Sequence, residues 1–380
     1  MSKESKAYKD LPKKVYIRTF GCQMNVRDSE ALLGLFLERG YQAAKDESQA
    51  DIILVNTCSV RAHAENRALS YLGSLKKFTE RRRTRGAKRK VIGLIGCMAK
   101  NLGEEVYQRM SHVDLICGPA SLAKIPVYCD KIKKDNIRII DLDDDLRDEE
   151  FYRSSFRLQP DHAQVVISTG CSNHCSYCVV PFVRGELRLR RPEDVIVEVK
   201  RNIDLGIKKI TLLGQNVNDY PNFIDLLSKV EKIAGIEELN FITSQPRNVP
   251  EGLFEFMARS GKISKHLHLP FQSGSNRILK KMNRGYTCQN YLQLVDSYKK
   301  IVKGTLSTDV IVGFPTEADK DFLATKDILE KVRFRKAYIF KYSPRPRAKS
   351  SKMVDDVSDE LKVKRHKILL DLQKKISLNK

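Results

Sequence analysis

The chain has 380 residues, 41% of them hydrophobic, enough to bury one large core or two ordinary ones, which excludes a disordered or fibrous chain. Its N-terminus, MSKESKAYKDLPKKV, has no signal-peptide stretch, and no later segment approaches the roughly 18 apolar residues of a membrane span. A soluble, cytoplasmic protein with no membrane partner is expected, and its net charge of +22 favours polyanions, nucleic acid first among them.

From residue 14 to about 130, short apolar runs alternate with helical stretches: VYIRTF, SEALLGLFLERG, DIILVN, AENRALSYLGSLKKF and KVIGLIG. This is the βαβ rhythm of a parallel sheet flanked by helices. Ser29 is the expected N-cap of the first helix and Gly40 its C-terminal stop. The rhythm then breaks into a charged stretch containing DLDDDLRDEE, read as a linker over 131–155. In 156–380 the alternation resumes, with strands expected at VVIS (165–168), KITLL (209–213), ELNFI (238–242), HLHL (266–269), LSTDVIVG (306–313) and AYIF (337–340). The segment RRPEDVIVEVKRNIDLG is a crossover helix with Pro192 near its start and Gly206 at its end. The fold class is α/β: an N-terminal βαβ parallel-sheet domain followed by a partial, six-unit (β/α) barrel.

Nine cysteines do not make a disulfide framework, and clustered thiols in a chain of this length read as ligands first. Cys171, Cys175 and Cys178 follow the first strand of the second domain, at the strand end where α/β folds place active sites. A structural zinc site wants four ligands, and His174 is the only nearby fourth, awkward because it adjoins Cys175. A four-iron cluster on three cysteines instead leaves one iron open. The CxxxCxxC spacing resembles the radical S-adenosylmethionine (SAM) superfamily. That resemblance implies SAM bound at the open iron and cleaved by a transferred electron to a 5′-deoxyadenosyl radical.

Cys22, Cys58 and Cys97 each end a strand of the first domain, 36 and 39 residues apart, in YIRTFGC, IILVNTC and VIGLIGC. Parallel neighbours would bring these ends to one edge, so a second three-thiolate site is expected, against the alternative of three separate buried thiols. Together, TFGCQMNVRDSE, VNTCSVRAHAENR, GLIGCMAK, GCSNHCSYCVVPFVRG, LLGQNVNDY, HLHLPFQSGS, STDVIVGFPTE and YSPRP resemble the methylthiotransferases of the MiaB type, over residues 14 to about 377.

The resemblance implies two 4Fe-4S clusters, on Cys22, Cys58 and Cys97 and on Cys171, Cys175 and Cys178. The first would hold the sulfur to be methylated by one SAM, and the second would cleave another SAM to abstract hydrogen from adenine C2. The substrate implied is tRNA carrying isopentenyladenosine in its anticodon loop. An electron donor such as flavodoxin or ferredoxin and a sulfur donor would complete the set.

In LLGQNVN, Gly214 permits close backbone approach and Gln215, Asn216 and Asn218 offer amides, as part of a SAM and nucleotide pocket or as a polar turn. Gln272 and Ser273 are pocket candidates by position, whereas His266 and His268 share a strand face and are not read as metal ligands. Arg184 suits a SAM carboxylate, a phosphate or a surface ion pair. The run KKFTERRRTRGAKRK (76–90) is either a phosphate-contacting patch or a solvated face, and Cys117, Cys129 and Cys288 are left as ordinary thiols. Three features depart from the MiaB type: the sequence stops at LLDLQKKISLNK, about where a TRAM domain is expected to begin, so that it is either trimmed or made without one, Gln245 stands where a histidine is expected, and Arg347 where a glycine is usual. The rival readings are the same chemistry on a ribosomal protein aspartate or on threonylcarbamoyl-adenosine, and a non-catalytic, metal-stabilised RNA-binding module.

Overall fold

The computed structural model describes residues 13–59, 62–80, 89–144, 149–154, 156–242 and 244–378. The chain divides into two units, Met1–Gln159 with Phe182–Gly185, and Pro160–Pro181 with Glu186–Lys380.

The first unit is built on one parallel sheet of β1 (Lys14–Phe20), β2 (Gln42–Ala43), β3 (Ile52–Thr57), β4 (Val91–Ile95), β5 (Leu115–Cys117) and β6 (Ile139–Asp141). Its strand order is β2-β1-β3-β4-β5-β6. Strands β3 and β4 are buried at every position, which is why residues 52–55 and 91–95 run without a polar residue rather than alternating, and β3 ends on the buried polar pair Asn56 and Thr57. The strand order reverses between β1 and β3, and such a switch point opens a crevice at the carboxyl ends of the strands.

Two local expectations are corrected. The stretch read as a linker holds the end of the helix Ile125–Asp135 and the edge strand β6, so the sheet runs on to Asp141. A three-residue strand is too short to show a period, and Asp141 is not a linker charge but a strand residue bonded by the Tyr128 hydroxyl at 2.5 Å. Residues 145–148 and 155 of that stretch lie outside the described residues. The first helix spans Gln23–Glu38 with Cys22 as its N-cap, so Ser29 lies inside it, buried, 2.8 Å from the Thr19 hydroxyl.

In the second unit, β7 (His162–Val166), β10 (Lys209–Leu213) and β11 (Glu238–Ile242) form one parallel sheet in the order β11-β10-β7. A second parallel sheet is made of β12 (His266–His268), β13 (Thr305–Val312) and β14 (Lys336–Lys341). A short antiparallel pair, β8 (Ser168–Thr169) and β9 (Arg188–Leu189), follows β7. The partial barrel of six strands is as expected, with the first strand shifted to 162–166. Its crossover helix Pro192–Asp204 has Pro at its start, Glu193 and Asp194 in the first turn where the helix dipole favours acids, and Gly206 at φ +85° after it.

Alternation sorts the strand residues. Ala163, Val165, Ile210, Leu212, Leu239 and Val310 join the apolar core under the helices, and Leu369 of the last helix, Asp359–Leu378, reaches the same core. His162, Thr211, His266, His268, Ser307 and Asp309 share the other periodicity. Both nitrogens of His266 are taken by the Thr305 and Ser307 hydroxyls at 2.8 and 2.9 Å, and His268 lies 2.9 Å from Ser307 and 3.4 Å from Asp309.

Arg347 sits at φ +69° with its side chain exposed. The left-handed region costs a non-glycine residue about 1–2 kcal/mol, which accounts for the glycine usual at this turn. Arg347→Gly is expected to stabilise the chain by up to about 1 kcal/mol, part of the relief being lost to the freer unfolded chain. Thermal denaturation measures it, and an unchanged or lower melting temperature would show that the arginine side chain holds the turn.

Candidate functional site

In the first unit the three cysteines lie where the parallel register puts them. Phe20 pairs with Thr57 and Asn56 with Ile95, so Cys22, Cys58 and Cys97 all fall just past the carboxyl ends of β1, β3 and β4. Cys22 is the N-cap of a 16-residue helix and Cys97 the first residue of the 13-residue helix Cys97–Arg109, where the helix dipole favours a thiolate. The glycines before them are steric requirements. A Cβ on Gly21 would stand 2.8 Å from the Cβ of Cys58, and Gly96, at φ +87°, would meet Asn56 Oδ1 at 2.3 Å.

Buried amides brace this edge. Asn25 Nδ2 donates to Asn56 Oδ1 at 3.1 Å, Asn56 Nδ2 returns to the Asn25 carbonyl at 2.9 Å, and the Cys22 thiol donates to Asn25 Oδ1 at 3.2 Å. The Cys58 thiol bonded to Cys22 holds it down to about 6, against burial and with help from the charge of Arg184. Burial pushes the Cys97 thiol up, opposed by Arg184.

Arg184 is where expectation and structure part. It is 2% exposed, and residues 182–185 fold with the first unit. Its Nε donates to Cys97 Sγ at 3.1 Å and its Nη2 to Asp28 Oδ2 at 2.6 Å. The guanidinium fork is thus engaged with a thiol and a buried carboxylate, neither on the surface nor aimed at a free anion site. Asp28 was not singled out from the sequence, although it lies in the TFGCQMNVRDSE motif.

In the second unit, Cys171, Cys175 and Cys178 occupy the loop after β8, and each sulfur receives an N–H donor. Asn173 donates to Cys171 Sγ through its backbone at 3.4 Å and its amide at 3.6 Å, Arg284 Nη1 donates to Cys175 Sγ at 3.3 Å, and the Val180 N–H donates to Cys178 Sγ at 3.4 Å. Burial, with the Cys175 thiol, pushes Cys178 up to about 12, and burial pushes Cys171 up as well, so an iron taking these thiols must displace their protons. The His174 side chain is exposed. Neither Asn173 nor Arg284 carries a sequence signal; only the loop geometry shows their role.

Past the row Val166–Leu213–Ile242, the strand ends of β7, β10 and β11 present Ser168, Gly214, Asn216 and Ser244. Asn216 Oδ1 and Asn218 Oδ1 both accept the Gln245 N–H at 2.9 Å, and Gln245 Nε2 reaches Asn173 Oδ1 at 3.4 Å. Ser168 Oγ, Asn216 Nδ2 and Ser244 Oγ are buried with no hydrogen-bond partner among the described residues. A Cβ on Gly214 would fall 2.5 Å from Ser168 Oγ, so only glycine leaves that hydroxyl clear. Gln215 is half-buried beside this group. On the other sheet, Gln272 is buried at a strained φ of +67°, whereas the Ser273 hydroxyl is engaged within its own turn by the Ser275 N–H at 3.3 Å. Ser168 and Ser244 escaped sequence reading because a lone serine at a strand end is unremarkable.

Among the described residues no three His, Cys, Asp or Glu side chains stand close enough to share one metal ion. A zinc with bonds of about 2.3 Å would draw its thiolates to under about 4 Å from each other, whereas a four-iron cluster takes them on separate irons. Two sets made of thiols alone fit iron–sulfur clusters, and the orphaned polar atoms at Ser168, Asn216 and Ser244 fit a polar cofactor beside the second set.

Residues 14–118 match Uncharacterized protein family UPF0004, and residues 165–329 match the Radical SAM superfamily. A tRNA-2-methylthio-N(6)-dimethylallyladenosine synthase of Thermoanaerobacter sp. (strain X514) is 41% identical over 96% of this chain and 79% of its own. One from Methylacidiphilum infernorum (isolate V4) is 42% identical over 96% of this chain and 81% of its own. Among solved structures, the radical SAM methyltransferase TsrM of Kitasatospora setae, with cobalamin and a 4Fe-4S cluster bound, superposes with a TM-score of 0.61 at 14% identity, covering 90% of this chain and 77% of that one. The cobalamin-dependent SAM radical enzyme OxsB gives 0.57 at 13% identity, over 98% and 57%. At such identities the two structures establish the fold, while the relatives establish the family: the chain belongs to the tRNA-2-methylthio-N(6)-dimethylallyladenosine synthases, radical SAM methylthiotransferases that use SAM and 4Fe-4S chemistry.

Proposed function

We propose that this chain transfers a methylthio group to C2 of the N6-isopentenyladenosine beside the tRNA anticodon, using two 4Fe-4S clusters. The observation that carries the reading is the repetition of an incomplete ligand set, three thiols at the strand ends of each unit. When bound, the cluster on Cys171, Cys175 and Cys178 would supply the electron that cleaves SAM, and the one on Cys22, Cys58 and Cys97 would carry the sulfur.

The chain's own residues orient and shield these groups. Asn173, Arg284 and the Val180 N–H fix the three thiols of the second set. Gly214 leaves room beside the buried Ser168 hydroxyl, and Ser168, Asn216 and Ser244 offer hydrogen bonds to the polar parts of SAM in a site the strands have already dried. The tRNA substrate accords with the net charge of +22. Residues 81–88 of the basic run lie outside the described residues. An electron donor such as flavodoxin or ferredoxin and a sulfur donor would complete the system, and a cytoplasmic location accords with a tRNA substrate. Among the described residues no helix is long and apolar enough to cross a membrane.

Three outcomes test the reading. Anaerobically reconstituted protein should hold about eight irons per chain. Cys58→Ala should still convert SAM to 5′-deoxyadenosine yet leave isopentenyladenosine RNA unmodified, while Cys175→Ala should lose both. Equal loss of cleavage in the two variants would contradict separate roles for the two sets, and a threonylcarbamoyl-adenosine or protein product would transfer the chemistry to a different substrate. Gly214→Ala, which crowds Ser168, should weaken SAM binding about tenfold, about 1.4 kcal/mol, by equilibrium dialysis; unaltered binding would move the SAM site away from these strand ends.

A further inference from the structure

A buried arginine bonds one thiol of each set, and the two differ in company. Arg284 is 5% exposed and donates to Cys175 Sγ, to the Tyr177 and Tyr286 hydroxyls and to the Pro270 carbonyl; among the described residues no carboxylate pairs with it. Arg184 donates to Cys97 Sγ but is held on its other side by Asp28, itself 1% exposed and also bonded by the Tyr152 hydroxyl at 2.7 Å. A surface role is excluded by burial, and a simple structural ion pair does not require the donor Nε to face a thiol.

An N–H donor and a positive charge at a ligating sulfur stabilise the extra electron of a reduced cluster and so raise its potential, while a carboxylate does the reverse. Burial leaves both effects poorly screened. We propose that Arg184 and Asp28 act as an opposed pair of positioning residues that set the reduction potential of the group on Cys22, Cys58 and Cys97, Arg184 raising it through Cys97 and Asp28 holding it down. The inference rests on the reading of these cysteines as cluster ligands. It gives the charged pair a task distinct from holding the segment Phe182–Gly185 in the first unit.

The test uses the full chain with Cys171→Ala, Cys175→Ala and Cys178→Ala, so that only the first set can carry a cluster, followed by redox titration with dithionite monitored by electron paramagnetic resonance. In that background Arg184→Gln should lower the midpoint and Asp28→Asn should raise it. Each shift is expected to change the reduced-to-oxidised ratio at a fixed potential at least tenfold, about 59 mV for a one-electron couple. A purely structural pair would lower the melting temperature in both variants and leave the midpoint where it was, which overturns the inference. Shifts of the same sign overturn it too. If Arg184→Gln does not load iron, the sign of the Asp28→Asn shift decides alone. If the parent itself fails to hold about four irons with matching sulfide, the cluster reading falls and the inference with it.

Discussion

Parallel strand pairing is the constraint on which the rest of the structure depends. Cysteines 36 and 39 residues apart share an edge only because β1, β3 and β4 run the same way and in register, Phe20 against Thr57 and Asn56 against Ile95. An antiparallel neighbour would send one thiol to the far end of its strand. The same logic lines up Val166, Leu213 and Ile242 in the second unit, and with them Ser168, Gly214, Asn216 and Ser244. Each unit therefore presents its chemistry at the carboxyl edge of a sheet whose interior is plain apolar packing.

Holding thiolates and arginines in a low-dielectric interior is costly unless each charge has a counter-charge. Arg184 has Asp28. Arg284 has only hydroxyls, a carbonyl and a thiol among the described residues, so its natural counter-charge is the deprotonated sulfur that an iron would hold. Burial favours protons on Cys171 and Cys178, so thiolates form there only with a charge that holds them. Cluster binding and the stability of this loop are consequently linked.

Much of this was legible in the sequence because it is local or periodic. The six barrel strands, the crossover helix and the CxxxCxxC trio have signatures within a dozen residues, and Cys22, Cys58 and Cys97 are joined by their shared place at the ends of three parallel strands. What escaped is short or distant. Strand β6 has three residues and hides in an acidic stretch, and Ser29 reads as a cap although the helix begins six residues earlier, at Gln23. Arg184 and Asp28 are 156 residues apart, so no motif reading joins them, and Arg284 meets Cys175 across 109 residues. The Ser273 hydroxyl meets the Ser275 N–H within its turn and the Thr325 hydroxyl 52 residues on, a second contact that no local motif shows.

The central claim is that two incomplete thiol sets serve one transfer to tRNA. Expression of the chain in a host that makes isopentenyladenosine but lacks its methylthiolation, followed by mass spectrometry of nucleosides from purified tRNA, tests it most directly. The account predicts that 2-methylthio-isopentenyladenosine accumulates as isopentenyladenosine falls. Unmodified isopentenyladenosine in cells whose protein is folded and loaded with iron and sulfide would contradict it.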